Sequence, residues 1–568
     1  MLFRSQTDGP SLNKLSPDLR QQSRRIVAGD EEVDIIVQYL DSAPRADVHL
    51  KGAVWGERRR TFSNLAFDAL RVKRSQLEAI ANDPSVAFVS PDRDLGATHF
   101  PPWMLHEAIG YRFAAMAVPE RPVQTGKNVG IAIIDSGVSA DDYLKDPSTN
   151  CTTSRIVYSQ NFVSGENTTS DVYGHGTHVA GIAAGAGRCL PSQSVDMSGM
   201  APDAKIINLR VLDGRGVGKD SAVINAIDRA IALKSTYKIK VINLSLGRVI
   251  ASSYTNDPLC QAVERAWKAG ITVVVAAGNN GRDNSMGTHG YATITSPAND
   301  PYVITVGATR MVGNTGREDD TVTSYSSKGP TLRDHIVKPD LVAPGNIVYA
   351  RMSPASYLVS SYQANTLGLS MAGGPNVPNI FLLSGTSMAA PVVAGSAALL
   401  LQQAAEASVT LTNDQIKARL MKTAFKNFLP SASISDTLTG QTFNVQHDLF
   451  TRGAGYLDVK SALASTDRSP TGKLALSPRI TVVNNKPILV ETYSNLTGGT
   501  NVVWGDNVVW GDNVVWGDSV VWGGSVLQGS SVVWGETTMQ GYSVVWGSNV
   551  VWGDASPFAE SLSVRGDQ

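Results

Sequence analysis

Between residues 100 and 467, short apolar runs alternate with helix-forming stretches, and this alternation limits the fold more than any other feature of the chain. Val129 to Ile134, Ile206 to Leu212, Val241 to Leu246, Ile271 to Ala276 and Tyr302 to Gly307 have strand length, while Ser221 to Lys234 and Pro258 to Ala269 have helix length. Runs that are apolar throughout, without polar alternation, predict strands buried on both faces. Strand–helix alternation predicts an α/β fold, a mostly parallel sheet with helices on both sides. Ligand sites in such sheets lie at the carboxyl ends of the strands.

Three segments carry reactive side chains to such places. Ile133-Ile134-Asp135-Ser136-Gly137 ends the first apolar run in a carboxylate, Gly174-His175-Gly176-Thr177-His178 opens a run of small helix-compatible residues, and Gly385-Thr386-Ser387-Met388-Ala389-Ala390-Pro391 puts a serine at a helix start. A seryl hydroxyl is a weak nucleophile at neutral pH. It needs an imidazole to take its proton and a carboxylate to hold that imidazole in one tautomer. The positive end of a helix dipole at Ser387 favours developing negative charge there. His178, on the same helix, reads as a packed histidine and not as a second base.

The chain order Asp, His, Ser, together with a fourth segment, Val275-Ala276-Ala277-Gly278-Asn279-Asn280-Gly281, resembles the subtilases, the subtilisin-like serine endopeptidases. The resemblance implies Ser387 as nucleophile, His175 as general base, Asp135 as its orienting acid and Asn279 as oxyanion donor. It extends to Ser296-Pro297-Ala298, Tyr325 to Pro330 and Lys338 to Gly345. It further implies that an extended substrate pairs as a strand with Gly216-Val217-Gly218 on one side and Ser245-Leu246-Gly247 on the other. Ala276, Ala277, Gly278 and Thr295 would line the first side-chain pocket, whose small walls predict a roomy slot without fixed charge and broad specificity. The stretch from Gly345 to Ser384, rich in Ser, Gly and Asn, departs from the family pattern and is expected to form a surface excursion. Calcium in surface loops is common in the family, but Arg188 to Asp196 carries no regular set of oxygen ligands, so no metal residues and no cofactor are assigned.

Ahead of these motifs, residues 31–95 have a different pattern: strand-like Val33 to Leu40 and Ala66 to Val72, a helix from Ser75 to Asn82, and a strand Val86 to Val89. A small α+β domain follows from it. It is similar to the subtilase propeptide, an intramolecular inhibitor removed by self-cleavage, here expected around residues 92–100; an unrelated ferredoxin-like module is the alternative. The expected organisation is an N-terminal segment (1–30), the propeptide-like domain (31–95), the peptidase-like domain (96–467), a linker (468–500), hexapeptide repeats (501–554) and a tail (555–568).

The repeats are nine hexads beginning Asn-Val-Val-Trp-Gly-Asp, with Gly at the fifth position of each hexad, and they hold seven of the chain's ten Trp. Val-Val-Trp favours a strand and Gly-Asp a turn, so stacked β units are one reading and a low-complexity tail is the other. Trp rows of this kind are candidates for binding a surface, a glycan or another copy of the chain. Composition narrows the remaining classes. With 49 basic against 50 acidic residues, no global field points to nucleic acid. No run of eighteen apolar residues occurs, so no transmembrane segment is expected. The resemblance implies an extracellular or cell-surface enzyme, although Met1 to Gln6 and the polar residues after them lack the apolar stretch of a secretory signal. Of three cysteines, Cys151 and Cys189 flank the His175 segment closely enough to bridge, a pairing that the sequence leaves open. A surface adhesion or assembly protein with a peptidase-like scaffold is the competing function, and four intact site residues argue against it.

Overall fold

The computed structural model describes residues 14–23, 31–40, 55–62, 64–97, 123–190, 198–311, 317–369, 377–427, 429–436, 440–468, 472, 474–483 and 486–490. The hexad repeats lie outside the described residues.

The N-terminal unit begins with helix α1 (Pro17–Ser23). Strands β1 (Glu32–Tyr39), β2 (Glu57–Thr61) and β3 (Phe67–Lys73), helix α2 (Leu77–Asn82) and strand β4 (Val86–Pro91) follow. The four strands form an antiparallel sheet in the order β2-β3-β1-β4. Within its inner strand β1 the run Ile35-Ile36-Val37 is apolar without alternation because both faces are covered there. Ile35, Val37, Leu70 and Val72 join Leu15, Leu19, Leu77 and Ile80 in the unit's own core. Ile36, Phe67 and Ala69 belong to the core of the larger unit that follows. Leu15 and Leu19 are fully buried, so the N-terminal unit includes residues assigned from sequence to a separate segment. Strand β2 is Glu-Arg-Arg-Arg-Thr and escapes hydropathy reading, since it is a charged edge strand of the kind that discourages further pairing.

After the short strand β5 (Asp94–Ala97), the larger unit contains β6 (Gly130–Asp135), β7 (Ile156–Asn161), α3 (His175–Ala184), β8 (Lys205–Arg210) and β9 (Val217–Lys219). Next come α4 (Asp220–Tyr237), β10 (Ile239–Leu244), β11 (Leu246–Gly247), α5 (Pro258–Lys268), β12 (Thr272–Ala276), β13 (Ile304–Arg310), β14 (Thr321–Val322) and β15 (Leu341–Pro344). The main sheet runs β14-β13-β12-β10-β6-β8-β7, with β15 also on β13, and is parallel except for β14. Every residue of β6, β12 and β15 is buried, as expected for strands covered on both sides. Helices α4 and α5 pack together as one layer.

The stretch from Gly345 to Ser384 is not a surface excursion. It contains β16 (Val348–Arg351), α6 (Tyr357–Ser361), β17 (Thr366–Leu369) and β18 (Val377–Leu383), whose strands form a three-stranded antiparallel sheet in the order β16-β18-β17. Ile380 to Leu383 is a continuous apolar run, fully or almost fully buried, and β16 packs on α3, so burial overrides the polar composition around it. Helix α7 (Thr386–Glu406) then packs against α3 and under β10, β12, β13 and β15. By length and composition α7 is apolar enough to cross a membrane, but here it is the core helix of this unit.

The expected linker beyond residue 467 also needs correction, because its beginning is part of the peptidase unit. Ser477 donates its backbone N–H to Pro301 O at 2.9 Å, Ala475 donates to Asp414 Oδ1 at 2.7 Å, and Val337 donates to Pro478 O at 2.8 Å. The buried ammonium of Lys417 donates to Pro301 O (2.8 Å), Val303 O (3.0 Å) and Ser477 Oγ (3.0 Å), with Asp340 Oδ1 at 3.3 Å. Burial pulls Lys417 down to about 7 against the attraction of Asp340. A buried cation keeps its place only with partners on all sides, and one of them comes from this C-terminal segment. A chain ending at Arg468 should therefore have a lower thermal unfolding midpoint than one ending at Val490, by an amount equivalent to about 2 kcal/mol for hydrogen bonds to a buried charge. Equal midpoints would show that the segment is only draped over the unit.

Candidate active site

Asp135, His175 and Ser387 are brought to one edge of the sheet, and all three are fully buried. Asp135 is the last residue of β6, and its Oδ1 accepts a 2.8 Å hydrogen bond from His175 Nδ1 and a 2.7 Å bond from Ser136 N–H. His175 is the first residue of α3, and Gly176 allows the close approach: a Cβ there would lie 2.2 Å from Gly137 O and 3.1 Å from the Asp135 Cβ.

A second carboxylate holds this corner, one that sequence reading missed. Asp171 is buried and accepts from Ser136 Oγ (2.8 Å), Gly174 N–H (2.7 Å) and Thr177 N–H (2.7 Å), while Gly176 N–H donates to Ser136 Oγ at 2.9 Å. These donors include the unpaired N–H groups of the first turn of α3, so Asp171 does the work of a cap and fixes the helix that carries His175. The acidic residue four positions before His175 was a readable signal. Burial raises the Asp171 carboxyl, although each of these bonds opposes the shift.

Ser387 is the second residue of α7, and its Oγ donates to Ser245 O at 3.1 Å, while Ser245 Oγ donates back to Ser387 O at 2.8 Å. Its backbone N–H is one of those that a helix start leaves without an intrahelical partner. Asn279 accepts at Oδ1 from Thr386 N–H (2.9 Å) and Thr386 Oγ (3.0 Å), which fixes the amide plane and leaves Nδ2 as its donor end. Thr386 is thus a second residue missed from sequence. His178 is buried with Nε2 at 3.1 Å from Phe381 O, and burial lowers it to about 3, so it is a neutral packed histidine.

The two flanking segments meet across a strand of the chain itself. β5 pairs antiparallel with β9, Leu95 opposite Gly218 and Gly96 opposite Val217, and with β11, Gly96 opposite Gly247 and Ala97 opposite Leu246. Gly216 precedes β9 and Ser245 precedes β11, so all six segment residues lie about this slot. Ala277, Gly278 and Thr295 also come together, with Thr295 N–H donating to Ala277 O at 3.1 Å. The Thr295 side chain lies between two glycines: a Cβ on Gly278 would be 2.7 Å from its Cγ2, and one on Gly247 would be 2.6 Å from its Oγ1. Counting small wall residues did not show where that side chain points.

Cys151 and Cys189 are bridged, Cα atoms 5.5 Å apart, and close the loop that contains α3; Cys260 is free and buried. Among the described residues, no group of three or more His, Cys, Asp or Glu is arranged to hold a metal ion.

Comparison with known proteins gives a consistent picture. The subtilase family model matches residues 126–456. The serine protease AprX of Bacillus subtilis is 31% identical over 401 residues, covering 69% of this chain and 82% of that protein. Subtilisin DY of Bacillus licheniformis is 35% identical over 299 residues, 53% of this chain and 84% of that protein. Fervidolysin from Fervidobacterium pennivorans, a keratinolytic enzyme related to subtilisin, shares the fold with a TM-score of 0.55 at 21% identity, covering 80% of this chain and 63% of its own.

Replacing Asp171 by Ala should lower the stability of the folded chain by about 1–3 kcal/mol, since three buried donors lose their acceptor at once, with Asp171→Asn falling between. Urea titration of the two variants checks this, and a change below about 0.5 kcal/mol for the alanine form would remove Asp171 as the support of α3.

Proposed function

The chain belongs to the subtilase family and is a serine endopeptidase, and from that premise we propose that Ser387, His175, Asp135 and Asn279 carry the reaction and that the N-terminal unit is its intramolecular inhibitor. The observation that carries this reading is the strand Asp94–Ala97, which lies between the two segments expected to hold a substrate.

In this reading Ser387 Oγ attacks the scissile carbonyl carbon and gives its proton to His175 Nε2. Asp135, bonded to Nδ1, keeps the ring in the tautomer that can accept it and stabilises the imidazolium. The carbonyl oxygen becomes an oxyanion between the Ser387 backbone N–H and Asn279 Nδ2, whose orientation the two bonds from Thr386 support. The imidazolium protonates the leaving amine, and a water activated by the same ring hydrolyses the acyl-enzyme. With Thr295 between the walls of the first pocket, smaller side chains than a roomy slot would take are preferred there.

The inhibitor reading rests on how the N-terminal unit is docked. Its Asp92 accepts from Ser221 N–H at 2.7 Å and from the Ser221 hydroxyl, taking a capping role at the start of α4, and Asp220 N–H donates to Arg93 O at 2.8 Å. Arg60 reaches Phe162 O at 2.6 Å, Gln38 reaches Asn256 O at 2.7 Å, and Asn64 N–H donates to Asp228 at 2.7 Å. The register, with Ala97 opposite Leu246, supports a cut just beyond Ala97. The bridge between Cys151 and Cys189 supports action in an oxidising, extracellular place. Attachment to a surface, a glycan or another copy is assigned to the Trp-bearing hexads on their sequence period alone.

Ser387→Ala should abolish peptide hydrolysis, a loss of about 10⁶-fold in turnover, and leave the chain full-length after purification. Mass spectrometry of that variant decides the second point: loss of the first ninety or so residues without Ser387 would end the self-processing reading. Asn279→Leu should reduce kcat by about 10²–10³-fold with little change in KM, because its bond strengthens as charge develops on the oxyanion. A defect confined to KM would move Asn279 from the reacting centre to substrate binding.

A further inference from the structure

The mechanism above leaves a buried ion cluster unused. Arg248 follows β11 directly, and Asp220 follows β9 directly, so each stands at the end of one edge of the slot. The Arg248 Nε donates to Asp220 Oδ1 at 2.9 Å, and Nη2 lies 2.9 Å from Asp220 Oδ2 and donates to Asp257 Oδ1 at 2.8 Å. Asp220 and Asp257 are fully buried, and Arg248 is 8% exposed. Asp257 is itself fixed, capping α5 through Leu259 N–H at 3.0 Å and accepting from Ser296 Oγ at 3.1 Å. Backbone bonds tie Arg248 to Ser296 in both directions, at 3.0 and 2.8 Å.

β9 and β11 are not neighbours in their three-stranded sheet; β5 lies between them and pairs with both. A guest strand fits only if the two edges stay two strand spacings apart, about 9–10 Å. Edges that close by an ångström exclude the guest, and edges that spread lose one row of hydrogen bonds. We infer that Arg248 is a positioning residue for the peptidase reaction: its fork across Asp220 and Asp257 holds the two edges of the slot at the width of one guest strand. Arginine suits the task, since its planar guanidinium meets two carboxylates from different segments in fixed directions, which a lysine ammonium does not. The cluster works on extended substrate and not on the reacting atoms, which it does not touch. This inference rests on the endopeptidase reading and on the slot as the place where substrate binds.

The test compares two substrates on the processed enzyme, with rates expressed per site titrated by a fluorophosphonate probe. An acylated tetrapeptide p-nitroanilide reaches both edges of the slot; the p-nitrophenyl ester of a single N-acetylated amino acid does not. Arg248→Met should raise KM for the tetrapeptide about tenfold, equivalent to about 1.4 kcal/mol, with kcat within about twofold and the ester unchanged. Arg248→Lys should recover part of the loss, and Asp220→Asn should shift KM in the same direction by less. Equal losses on both substrates, or no change on the tetrapeptide, would overturn the inference. If Arg248→Met gives no probe-reactive protein, Arg248→Lys and Asp220→Asn carry the comparison with the same outcomes. Wild-type protein that hydrolyses neither substrate would remove the endopeptidase reading, and this inference with it.

Discussion

The candidate site depends on one row of parallel pairing. Leu244 of β10 lies opposite Ile134 of β6 and Val275 of β12, so the three strands reach the same edge of the sheet in register. The next residues, Asp135, Ser245 and Ala276, therefore stand side by side at that edge, and Gly278 and Asn279 follow within three positions. Parallel strands bring all their carboxyl ends to one edge; an antiparallel sheet would have scattered these groups between two. Helix α7 then enters at that edge with Ser387 in its first turn, held to the strand break at Ser245 by bonds in both directions. Side chains far apart in the chain meet there because backbone pairing, not their own attraction, fixes their height.

Much of this was legible in the sequence, for a physical reason. Strands buried on both faces must be apolar throughout, so Val129 to Ile134 and Ile271 to Ala276 announced themselves, and a carboxylate at the end of one of them was conspicuous. The boundaries moved where chemistry is local. β10 and β11 read as one strand, but the chain breaks at Ser245, and α4 begins at Asp220 and runs to Tyr237. Elements stabilised by their surroundings were harder to find. β2 is a charged edge, β16 and β18 are buried among polar connections, and the segment around Ser477 is held by hydrogen bonds to Pro301 and to the buried Lys417. Of the supporting residues, Asp171 stood as a local signal just before its helix, whereas Thr386 and Arg248 act through partners distant in sequence, which no local pattern shows.

Three carboxylates around the site share one arrangement. Asp171 serves α3, Asp257 serves α5, and Asp92, from the N-terminal unit, serves α4; each carboxylate meets the unpaired N–H groups of a helix start. Such sites repay the desolvation of a carboxylate with hydrogen bonds and a favourable dipole. Two of the three stand beside the slot, so the parts that orient the helices also orient the edges between which a peptide must lie. The N-terminal unit uses the same means, supplying from another part of the chain the cap that α4 lacks.

A strand lodged between β9 and β11 is hydrogen-bonded along both of its sides, and this makes a demand on anything that takes its place. A strand in a folded protein already spends at least one side on its own sheet, so it cannot enter until its neighbours let go. The demand falls on the backbone, whatever the side chains. A target whose local opening costs about 4 kcal/mol offers a fitting segment in roughly one molecule in a thousand, and when opening is fast its rate of cleavage follows that population. In the proposed reading, selection by such a slot is a reading of local stability: frayed termini, long loops and unfolded chains would be consumed first, and compact domains would survive in its presence, including its own.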